Sequence, residues 1–312
     1  MFGSKDAGMK LYHYTSVPLA GVIFNTELKG SPYRTQDGRT VGPCVWLTTS
    51  PSPLGHGLLT GEKLTPSNVE YLKRIGRPPK NLTTHKKTLV RIQIESESLS
   101  KWALESSTPS GLIPYVKFSK LLGESKLWRK SMGLSCYYDL KALSDEELVR
   151  HYKKTKTMEE TWWLNFDSIP AELIEAVAFQ TQSGYVPYDF EEHGRAQFED
   201  SGLYVAPKPL LDEFHELCPP LNRFDTPQAT VFCASADSRP TVAFQARGAA
   251  WDIDLEALTI STRIGPLPSN ISEIVGWVDR HRNTLLGLWP AAVDTYNRYY
   301  PDLPAELPSK AI

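Results

Sequence analysis

Apolar and polar positions alternate in short runs through the first half of the chain, the period of a strand, and switch to helical spacing at a few places. The run Lys10 to Ser16, KLYHYTS, predicts a strand with Tyr12 and Tyr14 on one face and His13 and Thr15 on the other. Ser16 then reads as the N-cap of a helix that carries Pro18 in its first turn. Val17, Ala20, Ile23, Phe24 and Leu28 form its apolar side, and Gly30 terminates it. A polar, turn-rich loop over 31–43 leads to a strand from Cys44 to Pro51, rich in β-branched and aromatic residues. The following PSPLGHGLL, with Gly55 and Gly57 around His56, predicts a mobile loop.

Thr65 caps a helix expected from Pro66 to Gly76, and RPPKNLTTHKK reads as an exposed basic connection. A strand is predicted over Thr88 to Ile94, whereas Gly111 to Ser131 shows no clear period. Ser144 with Glu147 forms a capping box for a helix running to about Lys156, with basic residues in its last turn. Met158 to Phe179 predicts a strand, a proline-containing turn and a second apolar strand. Beyond it, proline-rich sequence over 184–222 predicts a linker, which separates a first domain over 1–183 from a second over 223–312. The second opens with TVFCAS, TVAFQA and AWDIDL as strands. It closes with a helix from about Ser269 to Trp289, its stripe made by Ile271, Ile274, Val275, Val278, Leu285 and Leu288 and its end set by Pro290. The tail after Tyr300 is expected to be poorly ordered.

Composition narrows the class. The 312 residues are 41% hydrophobic and 22% charged, which predicts a folded globular protein with room for two domains. No secretory pattern opens the chain and no apolar run nears the ~20 residues that cross a bilayer, so a soluble, cytoplasmic protein is expected. Cys44, Cys136, Cys218 and Cys233 lie far apart without paired spacing and read as free thiols, neither a disulfide framework nor a zinc site. The net charge of −2 hides a division. Residues 1–157 hold 24 Lys and Arg against 13 Asp and Glu, and residues 158–312 hold 10 against 23. Either the basic half meets nucleic acid or another anionic partner, or the two halves attract each other within the chain.

Three pieces, LYHYTS at Leu11 to Ser16, VWLTTSP at Val45 to Pro51 and EETWWLNFDSIPAELI at Glu159 to Ile174, together resemble the ADP-ribosyltransferase-like superfamily. The resemblance covers about residues 10–180 and implies an α+β domain in which a small split β-sheet holds NAD in a cleft. It implies that His13, with Tyr14 and Thr15 beside it, positions the adenosine ribose, and that Trp46, Thr48, Thr49 and Ser50 support the nicotinamide ribose. Glu160 or its neighbour Glu159 would carry catalysis. The residue types suit the reaction: cleavage of the nicotinamide bond passes through an oxocarbenium-like state that a carboxylate stabilises, and the faces of Tyr12, Tyr14, Trp46 or Trp162 would attract the cationic ring by cation–π contact and stacking. The family's Glu-x-Glu pair and Ser-Thr-Ser run stand here as Glu-Glu-Thr and Thr-Thr-Ser, which leaves catalysis and plain binding both open. No GxGxxG or GxxxxGK[ST] motif occurs.

Residues Ala229 to Asp254 and Ile264 to Trp289 are similar to a small bacterial domain of unknown function often encoded beside toxin genes. Where that family carries histidines before its second strand, this chain has Ser238, Thr241 and Phe244, and no metal role is implied. His281, between Arg280 and Arg282, reads as surface polar. The function implied is a mono-ADP-ribosyltransferase of the toxin or phage-conflict type that uses NAD as substrate and a protein or nucleic-acid acceptor. The alternatives are a non-catalytic binding or inhibitor protein and an NAD glycohydrolase.

Overall fold

The computed structural model describes residues 8–25, 27–66, 69, 84, 86–105, 111–135, 140–189, 192–193, 203–220, 227–233, 238–247 and 249–299. The helix expected from Pro66, the basic connection after it, Cys136 and the tail beyond Tyr300 lie wholly or largely outside them. The architecture is α+β, in two compact units. One comprises residues 1–23, 27–62 and 84–188, the other 24–26, 63–83 and 189–312.

The first unit is built on an antiparallel sheet. Its strands are β1 (Lys10–Thr15), β3 (Ser31–Arg34), β4 (Thr40–Thr48), β5 (Val90–Glu95), β6 (Ile113–Pro114), β7 (Trp162–Asn165), β9 (Ile174–Thr181) and β10 (Gly184–Pro187). They lie in the order β10-β9-β5-β1-β4-β7-β6, with β3 also paired to β4. A small pair, β2 (Glu27–Leu28) with β8 (Ile169–Pro170), stands apart. Strict alternation drives β5, where Val90, Ile92 and Ile94 are buried and Arg91 and Gln93 face the other way. Paired residues share a face, so Tyr12, Thr48 and Trp162 lie on one side with Tyr14, Trp46 and Leu164, while His13 and Thr15 lie on the other.

The helices follow local rules unevenly. Over α1 (Val17–Asn25) the first intrahelical bond comes from Ala20 N–H to Ser16 O, but the Ser16 hydroxyl is buried without a hydrogen-bond partner and caps nothing. The helix ends at Asn25, before β2, and Gly30 is not its terminator. After α2 (Ser96–Glu105), the stretch without a clear period folds as α3 (Tyr115–Leu121) and α4 (Lys126–Ser131). Each has too few turns for a period to emerge. Ser125 caps α4 by accepting from Trp128 N–H. The capping box at α5 (Asp145–Thr155) forms as read, with Ser144 and Glu147 bonded reciprocally. Trp162, Leu164, Tyr33, Tyr115, Trp128, Met132, Leu140 and Leu148 make an aromatic-rich core with these elements.

The second unit carries an antiparallel meander of β11 (Leu203–Val205), β12 (Gln228–Phe232), β13 (Thr241–Ala246), β14 (Ala249–Asp254) and β15 (Ile260–Ile264) in chain order. Among its described helices are α6 (Lys208–Leu217), α7 (Ile271–Arg280) and α8 (Arg282–Tyr299). Residues 184–222 are therefore not a plain linker: β10 completes the first sheet, and β11 and α6 belong to the second unit. Trp251 stacks on Phe244 at 5.5 Å, and Phe214 and Trp277 join them in the core. The single long helix is divided at His281, and its second part runs through Pro290 rather than ending there. Pro290 is exposed, so the carbonyl one turn earlier that lacks its N–H partner can turn to water. His281 is not simply a surface group: its Nε2 lies 2.7 Å from Glu213 Oε2, and its ring 5.3 Å from that of Trp277.

Candidate functional site

Strands β1, β4 and β7 are neighbours, so the three sequence pieces that carry the family resemblance come together on one sheet. Their side chains divide between its faces. On one, His13 Nδ1 lies 3.0 Å from Trp46 O. A carbonyl only accepts, so Nδ1 carries the proton and Nε2 the lone pair. Burial holds the His13 pKa down at about 4 against the opposing effect of that bond, with the Lys87 charge lowering it further, and the ring is neutral at pH 7.

The other face is packed with rings. The Tyr14 hydroxyl donates to Ser50 O at 3.0 Å, and burial pushes its pKa far above the ordinary phenol value. Trp46 lies edge-on to Trp162 at 5.6 Å and 5.1 Å from Tyr115. Arg91 stands over Tyr185 at 4.3 Å and Tyr12 at 5.1 Å and donates to Pro51 O at 2.8 Å. The aromatic faces expected to stack on nicotinamide are thus taken by protein groups: Tyr12 by Arg91, Tyr14 by His56, and Trp46 and Trp162 by each other and Tyr115.

The hydroxyl run is joined to the acidic turn. Thr161 Oγ1 gives its proton to Met158 O at 2.9 Å, so in the 2.9 Å pair with Thr48 Oγ1 the Thr48 hydroxyl is the donor. Thr48 also accepts Ser50 N–H at 3.0 Å, and Thr49 N–H donates to Thr161 O at 3.0 Å. The Ser50 hydroxyl donates to Ser52 O. These contacts fix the short turn 159–161 at the end of β4. Within it the two carboxylates differ: Glu159 is buried, 3.8 Å from Lys130 Nζ, and Glu160 is exposed. Glu160 is the one able to meet a ligand from solvent.

The loop predicted to be mobile is tied down, and it carries a residue that periodicity could not single out. His56 Nδ1 accepts the Trp162 indole N–H at 2.5 Å, and its Nε2–H donates to Ser52 O at 3.1 Å. Its ring stacks on Tyr14 at 6.0 Å and 23°. Burial lowers its pKa to about 4 against the Ser52 bond. Met158 N–H donates to Gly55 O at 2.9 Å, and Gly57, at φ +62°, lies against the Gly133 backbone. The glycines around His56 were the available signal, since they permit this close backbone approach. Arg91 was hidden as an outward residue of a regular strand.

Among the described residues no group of three or more His, Cys, Asp and Glu could hold a metal ion, and no helix is long and apolar enough to cross a membrane. Cys44, Cys218 and Cys233 are buried. No protein-family model, no curated protein and no solved structure matches the chain.

Proposed function

We propose that the first unit is an ADP-ribosyltransferase-like domain with the split-sheet fold of that superfamily, and that it cleaves NAD and transfers ADP-ribose to a macromolecular acceptor. The observation that carries this reading is the adjacency of β1, β4 and β7, the strands that bear or adjoin His13, the Thr48 to Ser50 run and Glu160. In this reading Glu160, exposed on a turn fixed to β4, accepts a hydrogen bond from the ribose 2-hydroxyl and stabilises the positive charge that grows as nicotinamide leaves. His13 offers the lone pair of a neutral imidazole to a sugar hydroxyl. Glu159 acts only through its position against Lys130.

The protein is expected to release nicotinamide from NAD, measured by chromatography. Glu160→Gln is expected to lower the rate by about 100-fold or more, in line with loss of a group acting on the transition state. Glu159→Gln should affect stability more than chemistry. Undiminished release in Glu160→Gln would refute the assignment. Transfer is separated from hydrolysis to free ADP-ribose by mass spectrometry of the acceptor.

A second reading, a binding or inhibitor protein on the same scaffold, is favoured by the packed rings around Trp46 and Trp162. It requires no nicotinamide release and no heat of NAD binding at millimolar ligand.

A further inference from the structure

The segment 111–156 holds ten Lys and Arg against five Asp and Glu, and its charge is unevenly spread. Of the five acids, Glu124 is buried and Asp145, Glu146 and Glu147 occupy the first turn of α5. That turn is about 12 Å along the axis from the last one. The last turn carries Lys153 and Lys154, both exposed, with Lys156 just beyond. Helix α4 packs against α5, and Lys130 on it reaches across to the Tyr152 ring at 5.4 Å. Lys126 is exposed one turn earlier. Among the described residues none of Lys126, Lys153 or Lys154 forms an ion pair.

This basic face runs into the candidate site. Lys130 ends 3.8 Å from Glu159, and the chain passes from Lys156 to Glu160 in four residues. We infer that the face formed by α4 and the last turn of α5 binds the phosphate backbone of nucleic acid and leads a strand to Glu160.

Lysines suit that partner. Each is a mobile point charge able to meet a phosphodiester from many directions, and a row of them gives affinity without sequence choice. An acidic protein would offer fewer, irregular charges to the same row. The binding stands by itself; delivery to Glu160 rests on the transferase reading.

The test uses the full chain and fluorescence anisotropy with a labelled single-stranded DNA of about 20 nucleotides, longer than a typical single-strand site. The wild-type chain is expected to bind, with affinity falling linearly in logarithmic salt between about 50 and 200 mM. The triple variant Lys126→Glu/Lys153→Glu/Lys154→Glu should bind at least about tenfold more weakly at the lower salt. Its milder Gln counterpart should retain binding with a salt slope shallower by about 2, as three lost phosphate contacts require. Nicotinamide release without acceptor should be unchanged in both. Thermal unfolding by circular dichroism checks that the variants fold, and the Gln variant decides if the Glu variant does not.

No binding by the wild-type chain, or variants with unaltered affinity and slope, would overturn the inference while leaving nicotinamide release intact. Polyglutamate binding as tightly as DNA and losing affinity in the same variants would assign the face to acidic proteins instead. Absence of nicotinamide release with the DNA results as expected would overturn the transferase and leave the binding face.

Discussion

Trp162 gives its indole N–H to Nδ1 of His56 at 2.5 Å, and that bond requires a neutral imidazole. Nδ1 can accept only when unprotonated, and Nε2–H is already committed to Ser52 O. A strand of the first sheet and the loop after β4 are therefore joined by a contact that a single proton removes. Tyr14, stacked on His56 and bonded to Ser50 O, and Arg91, bonded to Pro51 O, hold the same loop from the sheet.

The first consequence is a pH dependence with a definite sign. His13 and His56 both have folded-state values near 4, against about 6.5 in an unfolded chain. Between those values the unfolded chain binds protons that the folded one does not, so the contribution of the two histidines to stability falls as pH falls from about 6.5 to 4 and is constant below. Each half-buried ring should contribute on the order of 1 kcal/mol per pH unit after allowance for partial exposure. Urea unfolding followed by tryptophan fluorescence over this range is expected to show the loss. His56→Gln should remove about half of the slope. Parallel curves for the two proteins would mean that His56 titrates normally.

Trp162→Phe separates the ring from its proton donor. Phenylalanine keeps most of the buried apolar surface but leaves His56 Nδ1 without its donor, which costs about 1–3 kcal/mol for an unsatisfied buried group. Burial still disfavours the protonated ring while the competing indole N–H is gone, so the pH slope should flatten only in part. Loss of stability with the wild-type slope retained would attribute the effect to packing alone.

Gly57 is the loop's most constrained position. Its φ of +62° disfavours any side chain, and a Cβ there would stand 1.7 Å from Gly133 O, a backbone atom that has no flexible end to move. Gly57→Ala should therefore cost about 3 kcal/mol or more and release the loop, seen as faster amide exchange over 52–58. By contrast, Gly123 also has a positive φ, but nothing lies within 4 Å of its would-be Cβ, and Gly123→Ala should cost only about 1 kcal/mol. Equal effects at the two sites would show that backbone conformation, and not the Gly133 contact, governs the loop.

Local chemistry made several elements legible. The box at Ser144 and Glu147, the alternation that predicts a strand over Thr88 to Ile94 and the strand at KLYHYT all act within a few residues; the first and last stand as read, and the second forms over Val90–Glu95, two residues later at its start and one at its end. What failed depended on distant partners. Ser16 has the right side chain for a cap, yet burial leaves its hydroxyl unpartnered. The glycine-rich loop looked free because its restraints come from Tyr14, Arg91, Met158 and Trp162, far away in sequence. Pro290 looked like a helix end, but exposure lets the helix tolerate it. For the candidate site, the alternation that put His13 opposite Tyr12 and Tyr14 was readable, whereas the filling of the aromatic face by Arg91 and His56 was not.

Glu124 provides the remaining test, because it is a buried carboxylate whose surroundings explain its tolerance. Its Oε2 accepts the Tyr33 hydroxyl at 2.6 Å and the Ser119 hydroxyl at 2.5 Å, and its Oε1 accepts Gln36 N–H at 3.2 Å. Three donors converge on two acceptor oxygens, which is what an ionised acid can satisfy. Glu124→Gln replaces one of those oxygens with an NH2, so at least one of the three donors faces another donor. Stability should fall by about 2 kcal/mol, the range for hydrogen bonds to a charged group with one partner left unmet. Tyr33→Phe removes one donor and leaves the carboxylate two, so it should cost less, about 1 kcal/mol. In the double variant the two losses should not add, since the amide can turn its NH2 toward the place the phenol vacated. Additive losses in urea unfolding would show that Tyr33 and Glu124 act on the core separately, despite the 2.6 Å between them.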